Sequence, residues 1–226
     1  MNIHVIPRLW SNAELRRFAP LFSGAAVNVS AWKDEDKEGR HYRDYFTACA
    51  SYALTNYKAE MRGAQGADDE VFLDLEADLD PSLAGRFDVV FNHTSLEHVY
   101  DCHKAFANIC AMSRDAVVIV LPFLQQQHAD YGDYWRFSPM AVERMFADQG
   151  FTTAYLSFNT DPRASVYIFA IGVRDAARWR DKLPFTIMRH DPTAKGAEPF
   201  AGCRAFQMPP LGQTIKAAVK RLLGKQ

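Results

Sequence analysis

Phe87-Asp88-Val89-Val90-Phe91-Asn92-His93-Thr94-Ser95-Leu96-Glu97-His98-Val99 decides the reading of this chain, because an apolar run opens there directly into polar residues. Val89, Val90 and Phe91 suit a parallel strand covered on both faces, and Asn92 to Ser95 suit its carboxyl end. Ligands of open α/β sheets bind just outside the carboxyl ends of the strands. Glu97 and His98 fall just past that end. On residue chemistry alone they read equally as caps for the next helix or as an acid–base pair.

Working outward, the pattern alternates strands and helices. Residues 25–29, 51–55 and 71–75 read as three strands. The charged stretch 33–40 after the first of them reads as a solvated loop. Ser11-Asn12-Ala13-Glu14 has the form of a capping box, with Leu15 and Phe18 on one face, so a helix precedes the first strand. Asp101 is placed to cap a crossover helix carrying Phe106, Ile109 and Cys110. Residues 116–123 form the next strand. Ser138-Pro139 then starts a helix whose stripe is Val142, Met145 and Phe146 and whose stop is Gly150. Residues 152–158 and 165–173 close the pattern as an antiparallel hairpin turning at Asn159-Thr160-Asp161-Pro162.

With its Phe-Asp-Val-Val strand, Leu96-Glu97-His98-Val99, the loop Gly132-Asp133-Tyr134-Trp135-Arg136-Phe137-Ser138-Pro139 and Gly150-Phe151, the chain resembles the class I S-adenosylmethionine-dependent methyltransferases over about residues 25–173. The resemblance implies a doubly wound α/β domain with a Rossmann-like methyltransferase fold: a mostly parallel seven-stranded sheet with a closing antiparallel hairpin. It implies S-adenosyl-L-methionine as cofactor and methyl transfer to a small molecule or saccharide. The chain departs from the family after the first strand, where a glycine-rich turn is usual and Ser30-Ala31-Trp32-Lys33 stands instead. A catalytically inactive binding or scaffold protein of the same fold is therefore the competing reading.

The resemblance also places the site. Asn28, Ser30 and Ala31 fall at the methionine end of the cofactor and Asn56 at the ribose. Asp74 falls at the adenine amino group, and Asn92 and His93 beside the sulfonium. His98 is the expected base, oriented by Glu97 or Asp133. Tyr131, Tyr134, Trp135 and Arg136 belong to a loop that would arch over the same strand ends as a substrate lid, its rings stacking on sugar or ring faces. No metal is expected, since His93, His98, Cys102 and His103 match neither a zincin helix nor a finger.

Lysine plus arginine number 26 against 27 aspartate plus glutamate, so no basic excess points to nucleic acid. Cys49, Cys102, Cys110 and Cys203 show no Cys-x-x-Cys pair and read as buried free thiols, which fits a cytoplasmic setting. No signal segment or membrane-spanning run is expected.

Residues 1–180 read as the methyltransferase-like domain and 181–226 as a proline-punctuated tail. Its last part, between Leu211 and Gln226, projects Leu211, Ile215, Val219, Leu222 and Leu223 on one helical face and lysines and Arg221 on the other. Such a basic amphipathic helix suits peripheral contact with a membrane or partner, or packing on its own domain.

Overall fold

Alternate side chains of one strand enter two different cores, which is what makes this sheet a middle layer. In Ser113–Leu124 (β5), Val117, Ile119 and Leu121 face one side while Ala116, Val118 and Val120 face the other, all fully buried. The computed structural model describes residues 5–58, 63–129, 131–161 and 164–188. The other strands are Gly24–Val29 (β1), Cys49–Asn56 (β2), Glu70–Phe72 (β3), Phe87–His93 (β4), Thr152–Phe158 (β6), Val166–Val173 (β7) and Thr186–Ile187 (β8). They lie in the order β3-β2-β1-β4-β5-β7-β6-β8. Only β7 runs antiparallel to its neighbours, β5 and β6. The expected doubly wound sheet and closing hairpin are present, with an eighth, two-residue strand added to the expected seven.

The chain moves from β1 outward to β2 and β3, then returns to lay β4 on the other side of β1. This reversal opens a crevice at the carboxyl ends of β1 and β4. Cys102–Met112 (α2) and Pro139–Asp148 (α3) cover one face, with Phe106, Ile109, Val142 and Phe146 in its core. Each such side chain contributes roughly 1.5–3 kcal/mol by leaving water. Asp101 accepts from Lys104 N and Ser138 from Ala141 N, as the sequence signals require. Ile6–Phe18 (α1) and Ala176–Trp179 (α4) cover the other face, where Phe18 packs on Tyr155 and Phe169.

Several expectations are corrected. The first helix begins at Ile6 rather than at the apparent capping box, since Pro7, which lacks a donor, suits its first turn. Ser11 lies inside the helix and bonds back to Arg8 O at 3.0 Å. The third strand ends at Phe72, short of the expected Leu75, and the carbonyls of Leu75 and Ala77 accept instead from Asn108 Nδ2 on α2. The charged stretch 33–40 is a mostly exposed loop, as expected, but two of its carboxylates turn inward. Asp34 is buried and accepts from Asn28 Nδ2, Tyr52 Oη and Arg43 N, while Asp36 takes Glu38 N, Arg40 N and the Tyr45 hydroxyl.

Cys49, Cys102 and Cys110 are free thiols, and Cys49 is only half-buried. Residues 186–187, within the expected tail, join the sheet beside β6. Cys203 and the amphipathic segment lie outside the described residues. Among the described residues no helix is long and apolar enough to cross a membrane.

Candidate active site

At the carboxyl end of β1 the backbone enters the left-handed region twice, at Ser30 (φ 56°) and Trp32 (φ 51°), where glycine is the usual occupant. Four hydrogen bonds from β2 hold this turn. Ser30 N donates to Thr55 Oγ1 (3.3 Å), Ala31 N to Thr55 O (3.1 Å) and Trp32 N to Asn56 Oδ1 (2.6 Å). Asn56 Nδ2 returns one to Trp32 O (3.1 Å). Asn56 also donates to Glu70, so its amide braces the turn as well as lining the cavity beside it.

The turn forms one wall of a cavity of about 300 Å³ at the ends of β1, β2 and β4. Asn28, Ser30, Ala31, Asn56, His93, His98 and Tyr131 all line it, so the structure brings together seven of the predicted site residues. A larger recess, about 790 Å³ between α1 and the β6 edge, gathers none of them. Asn92 sits beneath the floor, fully buried, donating to Val29 O (2.9 Å) and to Ser95. Asp74 lies outside the cavity, its Oδ1 occupied by Glu76 N at 2.9 Å, which corrects its expected place.

Sequence reasoning missed Arg8, Tyr42 and Trp32, which also line the cavity. Arg8 Nη2 donates to Thr94 Oγ1 (3.1 Å), and its charge lies near Tyr42, Tyr167 and Glu97. Thr94 is 86 residues away along the chain, so no local spacing could have signalled that contact. His93 sits beside it, Nε2 against Ser11 Oγ and Nδ1 against Thr94 Oγ1, both 3.0 Å. Burial, then the Arg8 charge, pushes the His93 imidazole well below its ordinary range, so it is neutral.

Behind one wall lies the expected chemical pair. Leu96–His98 forms a single tight turn that buries Glu97 completely. Glu97 Oε1 is 3.7 Å from His98 Nε2, and neither carboxylate oxygen has a hydrogen-bond partner among the described residues. Burial raises the Glu97 carboxyl to about 7. His98 is oriented by neither Glu97 nor Asp133: its Nδ1 lies 2.6 Å from Gly132 O, and burial lowers its pKa.

Asp133 instead forms a two-point pair with Arg136 (2.5 and 2.8 Å) and meets His128 at its backbone N (2.9 Å) and Nδ1 (3.3 Å). Burial alone would raise the Asp133 carboxyl, but the Arg136 and His128 hydrogen bonds hold it at about 2. Arg136 also donates to the carbonyls of Gln125, Gln126 and Trp135, so both charged groups staple the loop.

The rings fare differently. Tyr131, Tyr134 and Trp135 are all exposed; Tyr131 also packs on His98 at 4.9 Å, and Trp135 Nε1 donates to Tyr100 O (2.9 Å). Tyr134 N fixes the loop to Glu97 O at 2.7 Å.

No family model matches the chain, and no curated protein matches it in sequence. Solved structures do match. One is a chain of the complex between the Haloferax volcanii Trm112 methyltransferase activator and a protein described as a methyltransferase: 16% identity, 74% of this chain, 90% of that one, TM-score 0.54. Another is described as a methyltransferase of Bacillus halodurans C-125: 11% identity, 72% and 97% covered, TM-score 0.53. The fold is that of the class I methyltransferases. An O-methyltransferase family protein of Burkholderia thailandensis shares it too, at 11% identity, 76% and 57% covered and a TM-score of 0.50.

Proposed function

We propose that this chain binds S-adenosylmethionine in the cavity at the ends of β1, β2 and β4 and transfers its methyl group to a hydroxyl-bearing small molecule, a saccharide being the class the aromatic loop suits. The observation that carries this reading is the left-handed turn at Ser30 and Trp32. Each such residue costs about 1–2 kcal/mol, and strain of that kind persists where a ligand must come close to the backbone. The N–H groups of residues 30–32 are all spent inside the protein, so the turn offers the cofactor proximity rather than donors.

The other groups fit the parts of the cofactor. Arg8 supplies a cation for the amino-acid carboxylate. Of the rings that line the cavity, we assign Trp32 and Tyr57 to the adenine and Tyr42 and Tyr131 to the sulfonium, whose charge aromatic rings attract.

S-adenosylmethionine bound there would supply a methyl group at its sulfonium and leave as S-adenosylhomocysteine, and the acceptor oxygen that took the methyl would have to lose its proton. With Nδ1 tied to Gly132 O, His98 has Nε2 as its basic nitrogen, and we assign it as the acceptor for that proton. The protein otherwise contributes alignment.

The test is calorimetric titration of the purified chain with S-adenosylmethionine and S-adenosylhomocysteine, with Arg8→Met alongside. Micromolar binding weakened at least tenfold in the variant supports the reading. Absence of heat from a well-folded protein transfers support to the inactive binding module, whose sequence argument is the missing glycine-rich turn.

A further inference from the structure

Three groups that sequence spacing does not associate converge beside the cavity: Glu97, His98 and His128. One ligand atom from each lies within 4.8 Å of the others. Their surroundings determine what those atoms are. His98 Nδ1 faces the Gly132 carbonyl and His128 Nδ1 faces the Asp133 carboxylate, both acceptors, so each ring carries its proton there and leaves Nε2 with a lone pair. The two rings meet edge to face, centroids 5.1 Å apart.

Glu97 adds a fully buried carboxylate, both of whose oxygens lack a hydrogen-bond partner among the described residues. A buried polar group without a partner costs free energy, and a buried charge costs more. A shared cation removes that cost.

We propose that Glu97, His98 and His128 form a binding site for a divalent transition-metal ion of the zinc type, with Gly132 O and Asp133 holding the imidazoles from behind. Two histidines and one carboxylate make a three-ligand set that leaves positions open for water or substrate. Metal–ligand distances of about 2.0–2.2 Å require the three atoms to draw in by roughly an ångström. Tyr131, tilted against His98 with ring centroids 4.9 Å apart, bounds the site on the cavity side. Metal binding stands apart from methyl transfer. With an ion bound, His98 would serve as its ligand instead of as base and the ion would lower the proton affinity of an acceptor oxygen, a deepening that rests on the methyl-transfer reading.

The test uses the full, untagged chain freed of metal with a chelator, titrated with Co²⁺ and followed by visible absorption, with Zn²⁺ competition. The expected result is one equivalent of Co²⁺ giving d–d bands, displaced by Zn²⁺, with binding weakened at least a hundredfold in His128→Ala and in Glu97→Gln. His128 is exposed at the surface, so its removal leaves the core intact, and near-wild-type circular dichroism establishes that. Absence of a spectrum from wild type, or equal binding by His128→Ala, overturns the site. S-adenosylhomocysteine titrations on the same samples separate the two readings, since loss of cofactor binding with metal binding intact overturns only methyl transfer.

Discussion

His98 Nδ1 lies 2.6 Å from the carbonyl oxygen of Gly132, a hydrogen bond that joins the turn after β4 to the loop after β5. It fixes the proton on Nδ1 and so defines Nε2 as the nitrogen with chemistry left to do. Gly132 is at φ +124°, and a Cβ there would sit 2.8 Å from the Tyr134 ring and 3.2 Å from His98 O. The bond therefore depends on a residue that only glycine serves without strain.

Removing the imidazole should strike turnover and spare the cofactor. His98→Ala is expected to lower methyl transfer from labelled S-adenosylmethionine by about 10²–10⁴-fold, the usual span for a lost acid–base group. Its affinity for S-adenosylhomocysteine should stay within about threefold by the same comparison of ground and transition states. Equal losses in both would reassign His98 to holding the fold.

Arg8 is expected to read one end of the cofactor. Arg8→Met should weaken S-adenosylmethionine about tenfold or more, the worth of one charge-assisted contact. It should leave decarboxylated S-adenosylmethionine, which has no carboxylate to pair, nearly unchanged. A variant that weakens both ligands alike would place Arg8 elsewhere on the cofactor.

Much of the fold was legible because its signals are local. Val89-Val90-Phe91, the run through β5 and the Ser138-Pro139 cap each declare an element within a few residues. Asn28, Ser30, His93 and His98 could be named because the methyltransferase resemblance puts them at or just past the strand ends, which the sheet order brings together. What failed to show was long-range. Ser11-Asn12-Ala13-Glu14 has the letters of a capping box, yet Ser11 Oγ is turned to Arg8 O and His93, 82 residues away. Asp34 reads as surface charge until Tyr52 and Asn28 close over it. His128 lies 30 residues past His98, in a stretch without periodicity, so only the clamp of Asp133 on Arg136 places it. The pairing of Asp133 with Arg136 was hidden because a sequence displays charges without showing that they satisfy each other.

The Asp88 carboxylate ties β4 to the start of β1 through Ala25 N (2.7 Å) and to Arg114 through 2.7 and 2.8 Å bonds. Hydrogen bonds from Arg114 are the largest cause holding it at about 2. Because the folded value lies below the unfolded one, near 3.9, its stabilisation is present above about pH 4 and fades as pH falls toward 2. Arg114 is half exposed, so screening leaves roughly 1 kcal/mol. Urea melts should therefore find Asp88→Asn less stable than wild type by about that amount at pH 6, with the gap narrowing at pH 3. A gap that is constant with pH would mean the carboxylate's charge is not what matters.

Gly172 in β7 tests how closely α3 lies on the sheet. A Cβ there would stand 2.4 Å from Phe146 Cδ1 and 2.5 Å from Cε1, closer than real atoms approach. Phe146 is itself fully buried against Phe106 at 5.2 Å, so the ring cannot swing away without disturbing a second one. Gly172→Ala should cost about 1–3 kcal/mol in urea unfolding, the range for overpacking a well-filled core. Phe146→Leu alone should also destabilise, by opening space. In the double variant the leucine vacates the volume that the new methyl needs, so the combined loss should fall short of the sum by about 0.5 kcal/mol or more. Strict additivity would mean that the strand moves to admit the methyl, and that β7 and α3 are not packed against each other as closely as these distances require.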